Sequence, residues 1–183
     1  MSEIVSNNLL AEGVLNTLAD AASRLLAPGG QMIPQGGAVM VALANWSGAA
    51  QTHMAEVAGF DLDGFNTLAQ VPRNVAVSDA TLSLHSAPAA LLAFDFTGKA
   101  AREPHRAETT LVSDGTPVCG IVQWIRLDLD AEGTYENRPG PAAKSHWGAQ
   151  FYPFDTPLDL PAGTPVRIAG VHDGNQLLVW REG

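Results

Sequence analysis

Along residues 8–26, NLLAEGVLNTLADAASRLL, apolar side chains recur at Leu10, Val14, Leu18, Ala21 and Leu25, in steps of three and four. That spacing predicts one amphipathic α-helix with a single apolar face. Asn7 or Asn8 can cap its start, and Pro28-Gly29-Gly30 stops it, because proline lacks the N–H and glycine favours the left-handed exit. Beyond Gly30 the texture changes to short runs rich in Val, Ile, Leu and aromatic residues, separated by turn formers. MIPQGGAVMVALA, ALLAFDF, AETTLVS, PVCGIVQWIRLDL, QFYPF, TPVRIAGV and QLLVWRE predict strands, the first of them bulged at Gly36-Gly37.

Ser113-Asp114-Gly115-Thr116 and His172-Asp173-Gly174-Asn175 each place Asp-Gly where a two-residue antiparallel hairpin needs positive φ. One helix followed by many strands with tight connections predicts a mainly β fold, an antiparallel β-barrel carrying an N-terminal amphipathic helix. Residues 59–88 are less regular and read as an excursion from the barrel, and DAEGTYENRPGPAAKSHW is too rich in Gly, Pro and polar residues to be strand throughout. The organisation expected is one domain over 1–183: a loop and helix to residue 30, first strands at 31–58, the excursion at 59–88, and the remaining strands at 89–183.

Composition narrows the function classes. Of 183 residues 46% are apolar and 16% charged, and the net charge is −9. Such a balance is globular, repels phosphate backbones and suits a cationic ligand or basic peptide, so nucleic acid is a poor partner. Neither a signal peptide nor an apolar run long enough for a membrane helix is legible, and the cytoplasm is the simplest location. Cys119 is single and lies in an apolar run, which suits a buried core thiol. His53, His85, His105, His146 and His172 are scattered singly, without the spacing of a metal site.

Two features remain as candidate chemistry. Glu3 and Glu12 flank SNNLL with almost no other charge nearby, and a fold-back there can bring the carboxylates together with Glu12 about one turn into the helix. Close carboxylates repel unless a cation fills the gap, and a guanidinium fits that role through its planar fork of donors. The plainer reading leaves Glu12 beside the helix N-terminus and Glu3 solvated. Ser145-His146-Trp147 is the second feature: the indole can wall an apolar slot or stack on a cation, and the imidazole can take a proton or pair with an acid. Trp147 as a core residue is the plainer alternative.

Taken in order, these segments resemble the protein arginine methyltransferase family over nearly the whole chain. SEIVSNNLLAEG resembles its double-glutamate loop at Ser2, Glu3 and Glu12. LLAPGGQMIPQGGAVMVALA is similar to its helix end and first barrel strand, at Pro28, Gly29, Gly30, Pro34 and Ala38. GFDLDGFN (59–66) resembles the start of its dimerisation arm, and GIVQWIRLDL with NRPGP and SHW its strand, turn and Thr-His-Trp loop, with Ser145 in place of Thr.

By that resemblance Glu3 and Glu12 grip the substrate guanidinium. His146 and Trp147 close the arginine pocket with Ser2 and Ser145 beside them, and methyl passes from S-adenosylmethionine to peptidyl arginine in the full enzyme. Family members carry a cofactor domain ahead of the double-glutamate loop, where here Met1 stands directly before Ser2. The expectation is therefore a substrate-binding half that binds no S-adenosylmethionine and is inactive alone. Its partners would be a basic arginine-containing peptide and a second copy, met through residues 59–88 or the uncovered helix, whose apolar face is then exposed. The alternative is a non-catalytic binding or oligomerisation module of the same descent.

Overall fold

The computed structural model describes residues 4–52, 56–62, 64, 72–97 and 103–183. A 3-10 turn over Ala11–Gly13 leads into α1 (Val14–Arg24), after which the described residues form strands and one further 3-10 segment, Ser47–Thr52. In order these are β1 (Gly36–Asn45), β2 (Glu56–Val57), β3 (Phe60–Asp61), β4 (Arg73–Val75), β5 (Ser83–Leu84), β6 (Ala89–Asp95), β7 (His105–Val112), β8 (Val118–Asp128), β9 (Thr134–Glu136), β10 (Ala149–Leu158), β11 (Pro165–His172) and β12 (Leu177–Arg181).

The expected mainly β, antiparallel fold with one N-terminal helix is present. The helix is shorter than its apolar stripe. Val14, Leu15 and Leu18 are buried, each contributing roughly 1.5–3 kcal/mol of apolar burial, whereas Leu25 is 75% exposed. Helical bonding ends before Pro28, with the Leu25 and Leu26 N–H groups both donating to the Ala21 carbonyl. The exposed apolar surface thus lies just past the helix, at Leu25, Leu26 and Ile33, and not along its length.

A seven-stranded sheet runs β4-β10-β8-β1-β5, with β6 also on β1 and β9 also on β8. A three-stranded sheet runs β12-β11-β7, and β2 pairs only β3 among the described residues. Among the described residues, hydrogen bonding does not close these sheets into a barrel. Between β10 and β12 lies a groove of about 420 Å³ lined by Tyr152, Pro153, Phe154, Pro157, Val179 and Trp180. Two prolines there remove donors that a closing ladder would need.

The central strands β1 and β8 are paired without interruption from Gly36↔Asp128 to Ala44↔Gly120. Both are covered on both faces. Val39, Val41 and Leu43 with Ile121, Ile125 and Leu127 form one core, in which Leu9, Leu10, Val14, Leu15 and Leu18 also sit. Ala38, Ala42 and Ala44 with Val122 and Trp124 form the other, against Val75, Leu82 and Phe151. Small alanines on that face let those segments approach the sheet closely, as dense interior packing requires.

Several local expectations are corrected. No bulge occurs at Gly36-Gly37; the irregularity falls between Val39 and Met40, on the pairing with β6. The strand starts at Gly36 rather than Met32. Gly115 and Gly174 both have φ of +95°, yet neither turn is a two-residue hairpin. β11 and β12 do pair, through a longer loop closed at His172↔Leu177. Ser113–Thr116 instead carries the chain from the small sheet (β7 on β11) to the large one (β8 on β1). Within 59–88, β4 pairs β10 and β5 pairs β1, so that part of the segment belongs to the large sheet. Cys119 is half-buried, its thiol near the Ala44 and Trp46 carbonyls.

Candidate functional site

Ser2 and Glu3 lie outside the described residues, as does His53. The remaining candidates, Glu12, Ser145, His146 and Trp147, sit on two segments that the fold brings together at one end of β8 and β10.

The first segment runs from Ile4 into α1. Leu9 N–H donates to the Ser6 carbonyl at 3.0 Å, and Asn8 Oδ1 accepts from the N–H groups of Leu10 and Ala11 at 3.1 and 2.8 Å. Asn8 thus supplies the expected cap, though to the turn ahead of the helix. Leu9 and Leu10 are fully buried and hook the loop into the core. Between these anchors the backbone is forced into the left-handed region: Leu9 has φ +68°, Glu12 +65° and Gly13 +67°. For a residue with a Cβ this conformation costs roughly 1–2 kcal/mol. Glu12 therefore is not one turn into the helix; it sits in the 3-10 turn before α1 and is exposed.

Ser145, His146 and Trp147 form a tight turn just ahead of β10. Ser145 Oγ accepts from Trp147 N–H at 3.0 Å and from the Tyr135 hydroxyl at 2.7 Å. Tyr135 meets the Trp147 indole edge to face at 5.5 Å, and the His146 ring lies 4.9 Å from the indole, tilted at 38°. Trp147 is half-buried against the core that holds Leu9 and Leu10, while His146 is exposed. Asn137, buried, locks this turn to β8: its Oδ1 accepts from Ile125 N–H at 2.9 Å, and its amide donates to the carbonyls of Trp147 at 3.2 Å and Gly148 at 3.0 Å.

The two segments are joined by a residue the sequence reading treated only as a helix cap. Asn7 Oδ1 accepts from Gly148 N–H at 3.1 Å, and the Asn7 carbonyl accepts from the fully buried Gln123 Nε2 at 3.1 Å. Its sequence signal was the Asn-Asn pair, of which Asn8 meets the local capping need and leaves Asn7 for a distant partner. Asn7 thus ties the segment that leads to Glu12 to the Ser145–Trp147 turn, while Gly13, next to Glu12, faces Asn175 on the β11–β12 loop. A carboxylate, an imidazole and an indole are each groups that can meet a flat cation. No group of three or more His, Cys, Asp or Glu able to hold a metal occurs among the described residues. No described helix is long and apolar enough to cross a membrane.

Comparison with known proteins follows the same lines. No family model matches the chain. An arginine N(omega)-methyltransferase of Streptomyces achromogenes subsp. streptozoticus is 30% identical over 173 residues, which is 92% of this chain and 47% of that protein. The chain therefore spans about half the length of the curated relative it matches. Among solved structures, the Trypanosoma brucei PRMT1 enzyme–prozyme heterotetrameric complex with AdoHcy aligns with a TM-score of 0.75 at 22% identity, over 92% of this chain and 56% of that one. Protein arginine methyltransferase 10 of Arabidopsis thaliana aligns at 0.72 and 14% identity, over 99% of this chain and 68% of that one. In sequence and in fold alike, this chain is similar to a barrel-like part of protein arginine methyltransferases.

Proposed function

We propose that this chain is the substrate-binding half of an arginine N-methyltransferase, a single barrel-like domain in which Glu3 and Glu12 clamp a guanidinium. His146 and Trp147, with Ser2 and Ser145 beside them, close the pocket around it. The observation that supports the reading is the hydrogen-bonded junction between the acidic loop and the Ser145–Trp147 turn, through Asn7 Oδ1 and Gly148 N–H at 3.1 Å. It ties the loop that carries Glu12 to the aromatic turn, and a left-handed glutamate at +65° in that loop is the kind of backbone strain that a functional constraint maintains.

The chemistry asked of these residues is positional. A guanidinium is planar, permanently charged and offers five donors. Two carboxylates can take its N–H groups in pairs, orient one nitrogen outward and hold electron density on it as its proton becomes acidic. Trp147 excludes water from one side, which strengthens the charge pairing. S-adenosylmethionine supplies the methyl group in the full enzyme. The described residues do not form its cradle: α1, the one described α-helix, opens behind a glutamate rather than from a glycine-rich turn, and an acid there disfavours a carboxylate-bearing ligand. The methyl donor is accordingly assigned to a separate domain, and this chain is expected to bind arginine weakly and to transfer nothing alone.

The test is titration of the chain with an arginine-containing peptide and with free arginine, followed by NMR, for the wild type and Glu12→Gln. Loss of one clamp carboxylate should weaken binding about 100-fold, the scale of removing one positioned electrostatic partner. Equal binding by the variant, or none by the wild type, sinks the clamp. A second reading, a non-catalytic oligomerisation module, draws on the β2–β3 ribbon, where Phe60 is 71% and Val57 51% exposed. A chain that self-associates and binds no arginine would favour it.

A further inference from the structure

The loop between the two glutamates is held at its midpoint, and the way it is held goes beyond the clamp itself. Asn7 lies four residues after Glu3 and five before Glu12. Three polar contacts converge on it. Its Oδ1 accepts from Gly148 N–H at 3.1 Å, its Nδ2 donates to Asn74 Oδ1 at 3.3 Å on β4, and its carbonyl accepts from Gln123 Nε2 at 3.1 Å on β8. Gln123 is fully exposure-free, and its Oε1 has no partner among the described residues. An amide buried at that cost with half its bonding capacity unused serves the loop rather than the sheet.

Gly148 shows how close these segments lie. A Cβ there would stand 2.9 Å from the Val75 carbonyl oxygen of β4 and 3.3 Å from Asn7 Nδ2, so glycine lets the turn after Trp147 pack onto β4 with Asn7 in tight contact beside it.

We propose that Asn7 is a positioning residue of the arginine clamp, setting the height of the Glu3–Glu12 loop against the Ser145–Trp147 turn. The inference rests on the clamp reading above. Two carboxylates share one guanidinium only over a narrow range of separation. A pin five residues ahead of Glu12 limits how far the loop can shift against the turn, and a shift of about 1 Å at such a site costs on the order of 100-fold. Leu9 and Leu10 anchor the loop in depth; Asn7 fixes it laterally, against three different elements.

The experiment uses the chain itself, with N-acetyl-arginine amide as the probe, binding read by NMR and amide hydrogen exchange read at Leu10, Ala11 and Gly148. Asn7→Ala should weaken binding at least about 10-fold and speed exchange at both the loop and Gly148, with the melting midpoint lowered by only a few degrees. Asn7→Asp keeps the acceptor for Gly148 N–H, and Asn74 can turn its amide to donate; binding should stay within about threefold of wild type. Gly148→Ala, pressing from the opposite side, should reproduce the Asn7→Ala effect. Binding that depends on Glu12 but is untouched by Asn7→Ala, or lost equally in Asn7→Ala and Asn7→Asp, overturns the positioning role alone. Wild-type binding that ignores Glu12, or none at all, overturns the clamp and the positioning role with it, and the exchange data then report a purely structural tether.

Discussion

Two chains of polar contacts run through this molecule, and they differ in a way their distances do not reveal. At one corner Asn137 and Asn7 bind the aromatic turn and the acidic loop with bonds of 2.9–3.2 Å. At another, Ser83 Oγ lies 2.8 Å from His85 Nε2, and His85 Nδ1 lies 3.1 Å from Asp114 Oδ2, the order of groups found in a serine-nucleophile relay. Geometry alone would rank the second as the active centre. Burial sets the two apart. Asn137 is 2% and Gln123 0% exposed, so losing a partner there strands a desolvated group; the Asp114 side chain is 48% exposed, and water can replace what it loses. The Ser83–His85–Asp114 series fastens β5 to the turn between the sheets, as the Asp114 N–H bond to the His85 carbonyl at 3.1 Å also does. Enclosure, more than the order of donors and acceptors, separates a contact whose loss strands a polar group from one that water can replace.

The sharpest way to break this contrast is Asn137→Ala. It removes three bonds and leaves Ile125 N–H buried without a partner, and we expect a loss of about 2–4 kcal/mol of stability by denaturant unfolding. A loss under about 1 kcal/mol would show that the corner is held by packing alone.

A smaller effect is expected at His172, an imidazole that has the enclosure His85 lacks. It is buried against Phe94, with its ring 6.4 Å from His105 across the strand pair and its Nδ1 accepting from Gly174 N–H. Burial first, and the His105 charge second, push its pKa below the ordinary value of 6.5. The unfolded chain therefore binds the proton more readily. Stability is complete above about pH 6.5 and declines as the pH falls toward the lower folded value. His172→Gln should flatten that part of the stability–pH curve; an unchanged curve would remove His172 from the account.

Ser83→Ala should do least, changing stability by less than about 0.5 kcal/mol. Its removal should also leave reactivity toward a fluorophosphonate probe, measured by intact mass, no different from wild type. A wild-type adduct that disappears in the variant would mean that exposure is no bar to a working relay, and would undo the comparison.

How much of this was legible beforehand depended on how local its cause was. The apolar stripe from Leu10 to Leu18 and the runs that became β1, β6, β8 and β11 follow from neighbouring residues, and they appear where the pattern puts them. The Asp-Gly turns were legible in backbone sign, with φ +95° at both Gly115 and Gly174. Whether a turn makes a hairpin depends on which strand lies opposite, and β7 takes β11, 165–172, rather than its neighbour in sequence. Barrel closure failed for a similar reason: Pro153 and Pro157 were visible, but not that they would face β12 across a groove. At the candidate site, Glu12 and the Ser145–Trp147 turn were picked out by residue type, but Asn7 was not. Its partners lie 67, 116 and 141 positions away, and no window along the chain contains them.

The left-handed step at Glu12 and Gly13 carries a consequence for anyone redesigning the domain. A procedure that rewards stability alone would write glycine at position 12, relieving the backbone at φ +65° by roughly 1 kcal/mol. The redesigned chain would pass every test of folding and have lost the carboxylate. If Glu12 belongs to the proposed clamp, robustness and recognition are competing design goals at this one position.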